Sequence, residues 1–137
     1  MTDSILNTTK KLLGIAEEYK EFDPDIIMCI NSVFTILAQL GVGPSSGFSI
    51  HDDSSTWNDF MSETENGEKV EAVKNYIALK VRLMFDPPTS STVLQSVNNM
   101  VSELEWRLNV LCDTTYSVSN EIEYVNKVLE GILNAKY

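Results

Sequence analysis

The side chains able to do chemistry are few, and their spacing argues against a reaction centre. The only histidine, His51, lies in a polar stretch beside Asp52 and Asp53. A histidine next to two carboxylates has the makings of a cation site or an acid–base pair. No further His or Cys stands at metal-ligand spacing, so solvation and helix capping explain the cluster more simply. Cys29 and Cys112 fall inside apolar helical patterns. Two buried free thiols made in a reducing compartment suit that placement better than a disulfide does. Gly41-Val42-Gly43-Pro44 has the glycines of a phosphate loop but lacks the Gly-Lys-Ser/Thr ending. It also follows a helical pattern where a phosphate loop follows a strand. No nucleophile comes with an evident base. The expectation is a protein with no catalytic residues, no metal and no cofactor.

What remains is a framework, and composition bounds it. A chain of 137 residues is the size of one domain with room for a real core. Hydrophobic residues make up 43% and charged residues 22%, which excludes a disordered chain. The longest apolar runs, such as Ile26 to Ile30, are far short of the roughly 20 residues a membrane span needs. Met1 to Ile5 shows no basic region leading into an apolar one, so no secretory signal is expected. Ten Lys and Arg against twenty Asp and Glu give a net charge of −10. Such a chain lacks the attraction that dominates binding to a phosphate backbone.

Helical periodicity organises most of the sequence. Ser4 is set to cap a first helix bearing Ile5, Leu6, Leu12 and Leu13, with Gly14 as its stop. Residues 16–22 read as a charged turn. Asp23-Pro24 then reads as an N-cap with proline at the first helical position. Ile26, Ile30, Val33, Leu37 and Leu40, widened by Ile27 and Phe34, form the stripe of a buried helix that Gly41 closes. From Gly41 to Asp53, three glycines and a proline break the pattern, and Phe48-Ser49-Ile50 alternates like a short extended segment. Residues 53–56 are placed to cap a brief turn bearing Trp57 and Phe60, and residues 63–69 read as a connection.

The next helix spans about Lys69 to Phe85 and ends at Asp86-Pro87-Pro88. It carries two apolar stripes: Val70, Val73, Ile77, Val81 and Met84 on one side, Ala72, Tyr76, Leu79 and Leu83 on the other. Two stripes predict a sandwiched helix. Ser90 or Ser91 caps a further helix whose seam is Leu94, Val97, Val101, Leu104, Leu108 and Leu111. After a polar stretch, Asn120 and Glu123 form a capping arrangement for a terminal helix with Ile122, Val125, Leu129, Ile132 and Leu133 on one face. The fold class is mainly α, a bundle or hairpin of about four to five helices. One glycine-rich loop interrupts it, with room for a short extended segment. Residues 1–112 make the helical domain, and residues 113–137 a short linker with an amphipathic helix.

Several phrases occur together in order. Ile5-Leu6 and Lys11 to Ile15 come first, followed by Asp25 to Ile27, Ile30 to Phe34 and Leu37 to Pro44. Phe48 to Ile50, Trp57 to Phe60, Val73 to Pro88 and Glu103 to Leu108 complete the set. In this order the chain resembles the small helical head–tail connector (adaptor) proteins of tailed bacteriophages and prophages, over roughly residues 5–110. The run from Tyr76 to the double proline and the later Glu105-Trp106-Arg107-Leu108 are its most specific parts. The resemblance implies a ring of the dodecamer type under the portal protein, in the virion at the head–tail junction, made in the cytoplasm of a bacterial host. The ring would extend the DNA channel, letting viral DNA pass without sequence-specific binding, and would meet a downstream tail-completion or neck protein. It implies no catalytic residues and no membrane. An acidic lumen would suit such a conduit. A helical protein-binding module or regulator, monomeric or dimeric, is the other reading that the residues leave open.

Three segments are candidates for the contacts that either reading needs. Val42, Phe48 and Ile50 are apolar residues outside any helix, available to a neighbouring subunit or portal, or to the domain's own core. Ile122, Val125 and Leu129 give the terminal helix a face to dock on a partner or on the hairpin. Counting about 100° per residue from Leu94, Trp106 falls near 120° and Val110 near 160°, away from the seam. They either anchor an interface or pack beneath Tyr76, Leu79 and Leu83.

Overall fold

The computed structural model describes residues 3–61, 67–112 and 125–132. Five helices follow in order: α1 (Ile5–Leu12), α2 (Asp23–Gln39), α3 (Trp57–Phe60), α4 (Gly67–Phe85) and α5 (Ser91–Cys112). A sixth, α6, covers residues 125–132. No strand forms among the described residues, and the only β-type pairing is an isolated bridge between Ser4 and Thr56. The chain is mainly α, as the periodicity predicts.

Local signals set most helix ends. The Ser4 side chain accepts from the Asn7 N–H at 3.2 Å, and the chain leaves α1 through Gly14 at φ +81°. Thr56 and Asp59 form a reciprocal capping box on the single turn of α3. Ser90 caps α5, its hydroxyl oxygen accepting from the Val93 N–H. The start of α2 differs by one residue from the expected arrangement. Phe22 is the N-cap, and Asp23 and Pro24 occupy the first two helical positions. Asp23 is therefore free to serve another group.

That group is Lys10, which is fully buried. Its ammonium donates to the carbonyl oxygens of Glu17 at 3.1 Å and Tyr19 at 2.7 Å, and lies 2.8 Å from an Asp23 carboxylate oxygen. Two of the ammonium's donors are held by carbonyls and its charge is paired with Asp23, which is the condition for tolerating a buried charge. One side chain ties the end of α1, the 16–22 turn and the start of α2 together.

Helix α4 is the centre of the molecule. It packs against α1, α2 and α5. Val70, Val73, Ile77 and Val81 of one stripe are buried, and so is Tyr76 of the other. Leu79 and Leu83 are half-buried against the same core. Met84 is the exception on the first stripe and lies exposed at the end of the helix. Across the hairpin, Val97, Val101 and Leu108 are buried, while Leu104 packs half-buried alongside them. The Tyr76 hydroxyl donates to Glu105 at 2.8 Å, and Lys80 lies 3.6 Å from the same carboxylate, which pins the register of α4 on α5. Burial first, and then Glu105, push the Tyr76 phenol well above its usual range.

The glycine-rich loop folds inward. Val42 and Ile50 are buried in the subunit's own core. Asn31 of α2 clamps Ile50 through both of its amide atoms, donating to its carbonyl at 2.9 Å and accepting from its N–H at 2.8 Å. This side chain does the work of a neighbouring strand, so Phe48-Ser49-Ile50 forms none. Phe48 is half-buried and meets Phe34 and Phe60 with ring centroids 5.0 and 5.3 Å apart. Gly43 holds φ +87°, and a β-carbon there would overlap the Phe60 ring. Only glycine allows this approach.

Two outcomes follow from this packing. Lys10→Met leaves the Asp23 charge and two carbonyls without a donor. It should lower the unfolding free energy by about 3–5 kcal/mol, toward the lower end because Asp23 keeps some contact with water. A urea titration against the parent chain measures it, and a change below about 1 kcal/mol would show that the tie is dispensable. Replacing Phe48 and Ile50 together with serine should destabilise the isolated subunit by about 5 kcal/mol or more, through lost burial and cavity formation. A double variant that keeps its cooperative transition would place those side chains outside the core.

Candidate interaction surface

The chemically capable residues singled out from the sequence are not brought together. His51 and Asp52 are exposed, and Asp52 accepts from both the N–H and the hydroxyl of Ser54. These bonds from Ser54 hold the Asp52 carboxyl below its usual range. Asp53 faces Lys20 at 3.8 Å. The arrangement is a solvated turn. Among the described residues, no three His, Cys, Asp or Glu side chains are grouped to hold a metal ion. Cys29 is a free, half-buried thiol, raised above its ordinary range by burial and by nearby Asp25. The Cys112 side chain lies outside the described residues. Among the described residues, no helix is long and apolar enough to cross a membrane.

The candidate contact residues divide into three groups. Val42 and Ile50 are corrected to core: side chains enclosed by their own subunit have no surface left for a neighbour. Phe48 belongs with them through its two aromatic contacts. Trp106 and Val110 stand on the outer face of α5, 68% and 39% exposed. Packing of this face beneath Tyr76, Leu79 and Leu83 does not fit that exposure. Val125 and Leu129 lie on α6, also exposed, while Ile122 lies outside the described residues.

The α5 surface can be built upward from its residues. The seam against α4 fixes the rotation of the helix, and the Tyr76–Glu105 bond fixes its register. Trp106, next in sequence to Glu105, is thereby aimed outward. Val110 follows it by about one turn on the same face. Arg107 does not cover the indole, because its guanidinium donates twice to Glu103 one turn earlier, at 3.1 and 2.7 Å. Removing the exposed part of a tryptophan from water is worth roughly 3–4 kcal/mol for each side chain covered. An ion-paired rim beside a bare aromatic is the layout of an interface anchor.

Periodicity did not single out the exposed Val93 and Met100, nor the exposure of Leu12. Leu12 belongs to the α1 stripe by its spacing, yet it stands half exposed at the last turn of the helix. Met100 and Val93 flank the α5 seam near 240° and 260° on the wheel used above, and that position is the signal that marks them as rim residues.

Neither the curated proteins nor the solved structures yielded a match to this chain. A family match was found: residues 5–115 fit the family described as phage connector protein, which takes in all of α1 to α5. The phrases quoted from the sequence lie inside that span. A core closed by α1, α2 and α4, with α5 laid over it and carrying a bare tryptophan outward, is the form in which this chain belongs to the phage connector protein family.

Proposed function

We propose that this chain is a structural subunit of the head–tail junction of a tailed bacteriophage. Copies assemble into a ring beneath the portal, extend the DNA channel and present a surface to the next tail-completion or neck component. The observation that carries this reading is the exposed Trp106–Val110 surface on a subunit whose core is complete without it. Membership of the connector family supplies the context.

The physical requirements of such a ring are modest, and this chain has the features that meet them. A head-to-tail ring needs two different surfaces on one subunit, since the contact is heterologous and must close. The outer face of α5 supplies one apolar surface. The net charge of −10 supplies the other property a DNA conduit needs, weak attraction for the duplex. DNA then slides through without being held. Catalysis has no part in this role, and the protein acts as a component of the virion.

Trp106→Ala separates an anchor from a core residue. Because the indole is mostly exposed, the isolated subunit should stay within about 1 kcal/mol of the parent in a denaturant titration. Light scattering after mixing with the portal protein should show that the variant no longer forms the large closed species. A loss of about 3–5 kcal/mol in the monomer would make the tryptophan a core residue. Undiminished assembly would remove it from the contact.

A further inference from the structure

We infer that α6 of one copy seats its apolar stripe in a groove between α1, α4 and α5 of a second copy. This rests on the assembly reading above and names the pair of surfaces that would join neighbouring subunits. The groove has a volume of about 450 Å³ and is lined by Leu12, Ala78, Leu79, Met100 and Leu104, with the Glu103–Arg107 pair on its rim. Its walls are mainly apolar, and Leu12 and Met100 are half exposed at its mouth.

The occupant is written in the same chain. Val125, Val128, Leu129 and Ile132 fall within an arc of about 100° on α6, with Asn126, Lys127 and Glu130 on the other side. All four apolar side chains are exposed, from 44% to 56%. A β-carbon added at Gly131 would meet nothing within 4 Å. Gly131 weakens this helix by about 1 kcal/mol relative to alanine, and docking of the apolar face would offset that loss. The described residues of their own chain do not supply that docking. Residues 113–124 link the two elements, and twelve residues extend up to about 40 Å, long enough to reach a neighbour. Groove and stripe are different surfaces, so the exchange is heterologous. Repeated around an axis it closes into a ring, and every groove is then filled.

The test mixes two variants, each with Cys29 and Cys112 replaced by serine. One carries Met100→Cys in the groove and the other Leu129→Cys on the stripe. Under mild oxidation with the portal protein present, a two-chain product joined between positions 100 and 129 should form. Adding Leu12→Glu to the groove-bearing chain should reduce that product at least tenfold without moving its thermal transition. Absence of the mixed product overturns the inference, as does a product indifferent to Leu12→Glu. So does a chain carrying both cysteines that closes on itself in preference to pairing. Electron microscopy of the same samples keeps the two readings apart. Rings under the portal without the cross-link would overturn the inference alone. A cross-link with no portal-bound particle would sustain the inference and overturn the function proposed above.

Discussion

Burial of α4 on two sides is the constraint from which the rest of this molecule follows. One stripe of that helix closes a core with α1 and α2. The other is covered by α5, held in register where the Tyr76 hydroxyl meets Glu105. Each fully buried aliphatic side chain along these seams contributes about 1.5–3 kcal/mol. The subunit is therefore stabilised without using the far side of α5. Among the described residues nothing else packs there, and the sequence nevertheless places a tryptophan on it.

The core is completed by two polar devices. Lys10 donates to two carbonyls, pairs its charge with Asp23 and fixes the path from α1 into α2. Asn31 satisfies the backbone of Ile50 and draws the glycine-rich loop onto the core. Each couples a stretch without regular structure to a helix, and each removes the unpaired groups that a buried loop would otherwise carry. Between them they explain why a loop rich in glycine leaves Val42 and Ile50 fully enclosed.

These two devices also mark where sequence reasoning stops. The α4 and α5 stripes, the Ser4 cap, the Thr56 turn and the double-proline stop were legible because each depends on neighbours within a turn or two of helix. That Trp106 lies off the seam was legible for the same reason, but whether its face is covered was not, since the wheel does not say what packs there. Lys10 was not, because its partners come from a turn whose path only the folded chain defines. Its position beside Leu6 and Leu13 on the α1 wheel was the one available signal. For Val42, Phe48 and Ile50 the sequence left partner and core both open, because a loop's pattern does not say which way it folds. The groove lined by Leu12 and Met100 was also hidden, as it joins residues from three helices that no single period relates.

The central claim is that the outer face of α5 is a subunit contact within a ring. Single-particle imaging of the protein bound to its portal tests this most directly. The account predicts a closed ring under the portal, with Trp106 and Val110 of each copy covered by the adjoining chain. A ring in which Trp106 faces solvent, or a portal that recruits no copies at all, would contradict it.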